Sequence, residues 1–194
     1  MLMKMKIGGK MIKLKSMCLS VKDCQLISYL YFVKIANRKQ ISRDIYTNQA
    51  LSTVQRRIRM LRERDIISSF RPDNYQEPSL QYSLTTKGFN LFRKLTSVDS
   101  CSKKFRSDSH NHDLTLVDIR NHLMKLSFVK KYYTENQIQN CEFLANEDSL
   151  KIFKELRFDA CILCEKENGL RRYFAIQYEP VSYTHLTLPT KRIV

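Results

Sequence analysis

The sequence predicts an α+β protein in two parts. Three helices, a β-hairpin and a fourth helix occupy about residues 18–96, and a smaller α/β unit occupies 114–180. Three observations carry this expectation. Apolar residues recur at helical spacing in 22–36, 53–64 and 85–95. Two β-prone runs, 66–71 and 80–84, flank Pro-Asp-Asn-Tyr-Gln-Glu-Pro, which is turn chemistry. Charge is uneven: of the net +15, residues 1–100 carry +12 (19 Lys/Arg, 7 Asp/Glu) and residues 101–180 carry +1 (13 against 12). With 43% apolar residues, ten Phe and ten Tyr in 194 residues, the chain can bury a real core. A basic first half favours a polyanion as partner, either nucleic acid or an anionic membrane surface.

Residues 1–17 form a basic segment whose apolar positions are interrupted by Lys every two or three residues, without a continuous apolar region or cleavage site. Methionines at 1, 3, 5, 11 and 17 leave the start codon open. No run approaches the roughly 18 apolar residues of a membrane span. The expectation is a cytoplasmic protein with reduced thiols at Cys18, Cys24, Cys101, Cys141, Cys161 and Cys164, and no membrane partner.

The first helix is predicted over 22–36, from Leu26, Leu30 and Val33, with Ile27 and Tyr31 beside them. Asn-Arg-Lys-Gln (37–40) reads as its break, and 41–46 as a short second helix. Ser52 and Gln55 have capping-box spacing, which starts a third helix at about Thr53 and runs it to Arg64. After the hairpin, Phe89, Leu91, Phe92 and Leu95 return to helical spacing. This order resembles the winged helix-turn-helix domains of DNA-binding proteins, as does Leu-Thr-Thr-Lys-Gly after the second wing strand. The resemblance covers about 18–96.

Residues 56–64 hold five arginines. On a wheel of about 100° per residue, Val54, Ile58 and Leu61 share one stripe, and Gln55, Arg56, Arg59 and Glu63 lie opposite. Arg57 and Arg64 flank the stripe on one side and Arg62 on the other. The outward face of the first two turns is Ser52, Thr53, Gln55, Arg56 and Arg59. A recognition helix needs those residue types there, because its N-terminal end enters the major groove. Arg grips guanine O6 and N7 with two bonds, and Gln does the same for adenine. Lys39, Arg43 and wing residue Arg71 are the expected phosphate contacts. The competing readings are a solvated basic face and a protein–protein module.

Residues 97–113 are polar and Ser-rich and read as a linker. Residues 114–128 read as an amphipathic helix with Leu116, Ile119, Leu123 and Leu126 on one side, followed by short β-type runs broken by Asn-Glu-Asp-Ser and Lys-Glu-Asn-Gly. His112-Asp113-Leu114, Glu135, Phe158-Asp159-Ala160 and Ile176-Gln177-Tyr178-Glu179, in that order after a winged helix, resemble the second domain of the replication-relaxation family. Those are winged-helix proteins of plasmids and integrative elements. The resemblance implies a role in replication, relaxation or mobilisation, beside a relaxase or replication initiator, with the second domain mediating partner contact or a homodimer. The arrangement is also similar to a restriction-endonuclease-like core, in which Glu135, Asp159 and Glu179 would supply carboxylates to Mg²⁺. Gln177 stands where that pattern has its first strand acid, and Glu179 where it has Lys. The expectation is a degenerate, non-catalytic core without cofactor or metal.

Cys161-x-x-Cys164 would point to opposite faces of a strand, so it reads as core. His112, in His110-Asn111-His112, reads as a helix-start residue and not as part of a nuclease motif. With four glycines, no phosphate-binding loop is expected. Residues 181–194 share no pattern with what precedes them and resemble a translated sequencing adapter, so the native chain is expected to continue beyond about Pro180. Three functions follow: a double-stranded DNA-binding accessory factor, a winged-helix transcriptional regulator, or a Mg²⁺-dependent DNA nuclease.

Overall fold

The computed structural model describes residues 12–14, 17–71, 80–96, 107, 109–140 and 148–179. Strands β1 (Ile12–Leu14) and β2 (Met17–Leu19) pair antiparallel. Two-strand pairing within 12–19 is not legible in the Lys-interrupted pattern. Helix α1 (Val21–Val33) opens on a complete capping box. The Asp23 N–H donates to Ser20 Oγ at 3.2 Å and the Ser20 N–H donates to Asp23 Oδ2 at 2.8 Å.

Helix α1 is buried on nearly every side, Leu26, Ile27, Tyr29 and Leu30 being at most 1% exposed. It stops at Lys34, a non-glycine residue at φ 65°, rather than at residue 36. The chain is diverted there because Ala36–Asn37 forms strand β3, which pairs with β5.

The expected break at 37–40 is a helix start instead. Asn37 caps helix α2 (Arg38–Asp44): the Gln40 N–H donates to Asn37 Oδ1 at 2.9 Å, and the Asn37 N–H donates to Gln40 Oε1 at 3.1 Å. Asn and Gln at this spacing satisfy two orphan donors as Ser and Glu would. Helix α3 (Leu51–Glu63) begins two residues earlier than expected. Its N-cap is Ala50, with no side-chain cap bond, so the capping role expected of Ser52 is corrected. The preceding turn, with Asn48 at φ 65°, sets where the backbone becomes helical.

Strands β4 (Ile67–Phe70) and β5 (Gln81–Leu84) form the hairpin, and the sheet order is β3-β5-β4. The turn at 72–79 lies outside the described residues. Helix α4 (Thr86–Thr96) explains Leu-Thr-Thr-Lys-Gly. Thr85 Oγ1 accepts from the Gly88 N–H at 3.0 Å and donates to the Asp65 carbonyl at 2.6 Å, while Lys87 Nζ donates to the Arg64 carbonyl at 2.8 Å. A Cβ at Gly88 would fall on the Ile66 carbonyl oxygen, so close approach demands glycine here. Helix, strand, two helices, hairpin and helix form a winged helix.

The second part comprises α5 (His110–Leu123), β6 (Val129–Thr134), α6 (Glu135–Asn140), α7 (Asp148–Leu156), β7 (Ala160–Glu165) and β8 (Arg171–Ile176). Its sheet runs β6-β7-β8, all antiparallel. Helix α5 corrects two expectations: it starts inside the supposed linker, and it ends at Leu123 rather than 128. Its buried side chains are Asp113, Leu114 and Val117, and Leu126 is 41% exposed. A third correction falls after Thr134, where the run turns helical. Gln137 Oε1 accepts from the Thr134 N–H at 2.9 Å and closes a first turn. Cys161 and Cys164 do face opposite ways, Cys161 into the main core and Cys164 against a smaller cluster around Val129 and Ile162.

The main core is continuous across both parts. Val117, Tyr133, Ile138, Phe153, Cys161 and Leu163 join the same cluster as α1, α3 and the wing strands. The described residues of the two parts therefore share one main core. Burial of α1 on all sides requires α5 and α6 as much as the wing. Among the described residues, no helix is long and apolar enough to cross a membrane.

Candidate nucleic-acid interface

Helix α3 is fixed by its inner stripe and by one buried ion pair. Val54, Ile58 and Leu61 are 0%, 2% and 0% exposed. Arg57, beside that stripe, does not project into solvent. Its guanidinium pairs with the fully buried Asp23, with Nε to Oδ1 at 2.9 Å, and its Nη2 donates to Ser20 Oγ at 3.2 Å. The Tyr46 hydroxyl donates to the same Asp23 carboxylate at 3.2 Å. Lys22 Nζ donates to the Ile45 carbonyl at 2.7 Å. The N-terminus of α1, the α2–α3 turn and the middle of α3 are thus tied to one carboxylate.

The opposite face is open. Ser52, Gln55, Arg56 and Arg59 are exposed and Thr53 is half-buried. Among the described residues, no hydrogen bond or ion pair engages Gln55, Arg56 or Arg59. The first turn of α3 carries no acidic residue and its cap supplies no side-chain bond, so its end keeps unpartnered N–H groups and a positive dipole end beside these arginines. Lys39 is exposed at the start of α2 and Arg71 at the end of β4. Two further exposed residues lie on α3 and α2. Leu51 is 59% exposed at the first position of α3, and sequence reasoning misses it because the Ser52/Gln55 spacing starts the helix two residues late. Arg38, exposed beside Lys39, is hidden in the supposed helix break.

Arg43 is corrected. The expected phosphate contact is engaged internally: Nη1 pairs with Asp118 at 2.7 Å and Nε with Asp44 at 2.7 Å. Asp44 also accepts from Tyr29 Oη at 2.8 Å and Asn121 Nδ2 at 3.0 Å. This network, with Gln40 Nε2 donating to the Leu114 carbonyl at 2.9 Å, clamps α2 to α5. Sequence spacing could not show it, because Asp118 and Asn121 lie more than 70 positions away. The expected consequence is measurable. Lys39→Ala should lower the salt slope of duplex binding by about one, whereas Arg43→Ala should leave that slope unchanged and lower thermal stability.

The candidate acids fall into two groups. Glu135 and Asp159 line a cavity of about 30 Å³ together with Lys34, Asp113 and Arg120, walled by Phe32, Val33 and Tyr132. Lys34 Nζ lies 2.7 Å from Glu135 Oε2 and 3.6 Å from Asp113 Oδ1. Burial pulls the Lys34 ammonium down, but the Glu135 hydrogen bond and the Asp113 charge outweigh it, so its pKa is raised. His112 Nε2 sits 3.3 Å from Asp159 Oδ2 and 3.0 Å from the Tyr178 carbonyl, and its Nδ1 lies 3.3 Å from Asp113 Oδ1. The Tyr178 N–H donates to Asp159 Oδ2 at 2.7 Å. Gln177 and Glu179 do not join them: neither is buried, and both lie beyond the end of β8. Tyr178, between them, meets Asp159 and His112 through its backbone N–H and C=O instead. Among the described residues, no group of three or more His, Cys, Asp or Glu is placed to hold a metal ion.

No protein-family model matches the chain, and no curated protein matches it. Solved structures show partial likeness. A mutant of MepR from a multidrug-resistant S. aureus clinical isolate is 17% identical, with 71% of this chain and 80% of that one covered at a TM-score of 0.38. Lactococcus lactis ZitR, a zinc-responsive MarR family member, is 16% identical over 60% and 81% at 0.37. The adhesin competence repressor AdcR of Streptococcus pyogenes is 16% identical over 56% and 69% at 0.34. The winged-helix assignment rests on the chain's own element order and sheet topology.

Proposed function

We propose that the protein binds double-stranded DNA and that α3 is its recognition helix. One observation carries this: Gln55, Arg56 and Arg59 are exposed, and unpaired among the described residues, on a helix whose Val54/Ile58/Leu61 stripe is buried. Side chains held at one face of a rigid helix, without internal partners, are available to base edges and phosphates. Lys39 and Arg71, both exposed, are the proposed phosphate contacts, and exposed Leu51 is the proposed partner of a thymine methyl. DNA, rather than a membrane, is favoured because this basic face presents one apolar side chain and not an apolar stripe.

Within that class the favoured role is a transcriptional regulator. The clamp between α2 and α5, through Gln40, Arg43 and Asp44, supports it, because a change in the second part would be felt at α3's neighbour. A second reading, an accessory factor in replication, relaxation or mobilisation of a plasmid or conjugative element, rests on the resemblance of Glu135, Asp159 and their neighbours. The positions of bound sites in a genome separate the two. Promoter-proximal sites fit the first, and an origin of replication or transfer fits the second.

The second part is proposed to be non-catalytic. Glu135 is engaged by Lys34, and Gln177 and Glu179 stand apart from Asp159. Supercoiled plasmid incubated with the protein and Mg²⁺ or Mn²⁺ should remain supercoiled. Nicking that disappears in Asp159→Ala would establish a nuclease instead.

A further inference from the structure

The two edges of the β6-β7-β8 sheet are unlike. Edge strands expose unpaired backbone N–H and C=O groups, and proteins blunt them with lysines and bulges. Strand β6 has both devices: Lys130 and Lys131 are exposed, and its register shifts between Val129 and Lys131. Strand β8 has neither at its centre. Tyr173-Phe174-Ala175-Ile176 is an uncharged run in regular register with β7, and β7 is its only strand partner among the described residues. Phe128, Leu170 and Phe174 are 49%, 45% and 48% exposed and, with Cys164, Glu165, Lys166 and Arg172, line a depression of about 190 Å³ that reaches from β8 across β7 to the start of β6. Charge is polarised along the strand, with Arg171, already paired to Glu165 of β7 at 2.7 Å but still largely exposed, and Arg172 at its start, and Glu179 after its end.

We infer that β8 is a homodimerisation edge, pairing antiparallel with β8 of a second copy to make a six-stranded sheet. The polarised charge selects this occupant. Antiparallel pairing centred on Ala175 sets Arg171 of each copy against Glu179 of the other. It also sets Phe174 against Ile176 of the other copy on one face of the sheet. A parallel arrangement would set Arg171 and Arg172 against their own copies, which like charge disfavours. The dimerisation itself does not depend on DNA binding.

The test is the mass of the full chain in solution, without DNA. Sedimentation over a micromolar concentration series should give about twice the 23.0 kDa of the chain. Phe174→Lys/Ala175→Lys should reduce it to one chain, with the far-UV circular dichroism unchanged, since both residues are exposed. Independently, Ala175→Cys should give a covalent dimer on mild oxidation that the unsubstituted chain does not. A chain that stays monomeric throughout overturns the proposal. So does a folded Lys variant that stays dimeric, or a monomer that dimerises only after removal of 180–194, which would make the chain's own terminus the occupant of the edge.

Discussion

Replacing Asp23 with Ala should cost about 3–5 kcal/mol of stability, the range for removing one partner of a buried ion pair. Asp23 is 0% exposed and accepts from the Ser20 N–H, Arg57 and the Tyr46 hydroxyl, so the substitution orphans three donors at once. Arg57 would be left partly buried with its charge uncompensated, which is the costly half of the change. Denaturant unfolding measures it directly. Asp23→Asn keeps an acceptor for the cap but loses the charge, and should fall between Asp23→Ala and the unsubstituted chain. A loss below about 1 kcal/mol, the scale of a surface pair, would mean that Arg57 is a solvated residue and that α3 is not held through it.

Replacing Arg56 and Arg59 together with Ala should weaken duplex binding far more than it changes stability. Each bidentate base contact discriminates by about 1–3 kcal/mol, so losing both should cost roughly 10²-fold or more in affinity for the preferred site. Both side chains are exposed and without internal partners among the described residues, and surface changes of that kind usually stay within about 0.5 kcal/mol of wild-type stability. Arg57→Ala provides the contrast. It should lower stability first and affinity only through the misplaced helix. Equal DNA affinity in the double variant and the wild type, at moderate salt, would remove α3 as the reading element.

Most of this interface is legible in the sequence, because a 3.6-residue period and a turn-flanked pair of β runs are local signals. The stripe Val54/Ile58/Leu61 and the outward Gln55, Arg56 and Arg59 lie where the periodicity puts them. The failures are mostly where long-range partners decide. Arg43 looks like any surface cation until Asp118 is brought to it. Lys34 carries no local sign of its role, which depends on Asp113 and Glu135 arriving from another part of the chain. Asn37 and Gln40 are a different kind of miss: they look like a break, although their spacing is that of a capping box. Helix α5 has an apparent apolar stripe that includes Leu126, but it packs on more than one neighbour, among them α1, α2 and β3. No single stripe describes such a helix.

The measurement that bears most directly on DNA reading by α3 is selection from a random duplex library with the 194-residue chain at moderate salt. The structure predicts enrichment of a defined site containing guanines, whose enrichment at one or two positions is lost when the selection is repeated with Arg56→Ala or Arg59→Ala. Retention of duplex without any enriched sequence would contradict a recognition helix and leave only phosphate binding. Failure to retain duplex at all would make the arginine face a solvated surface.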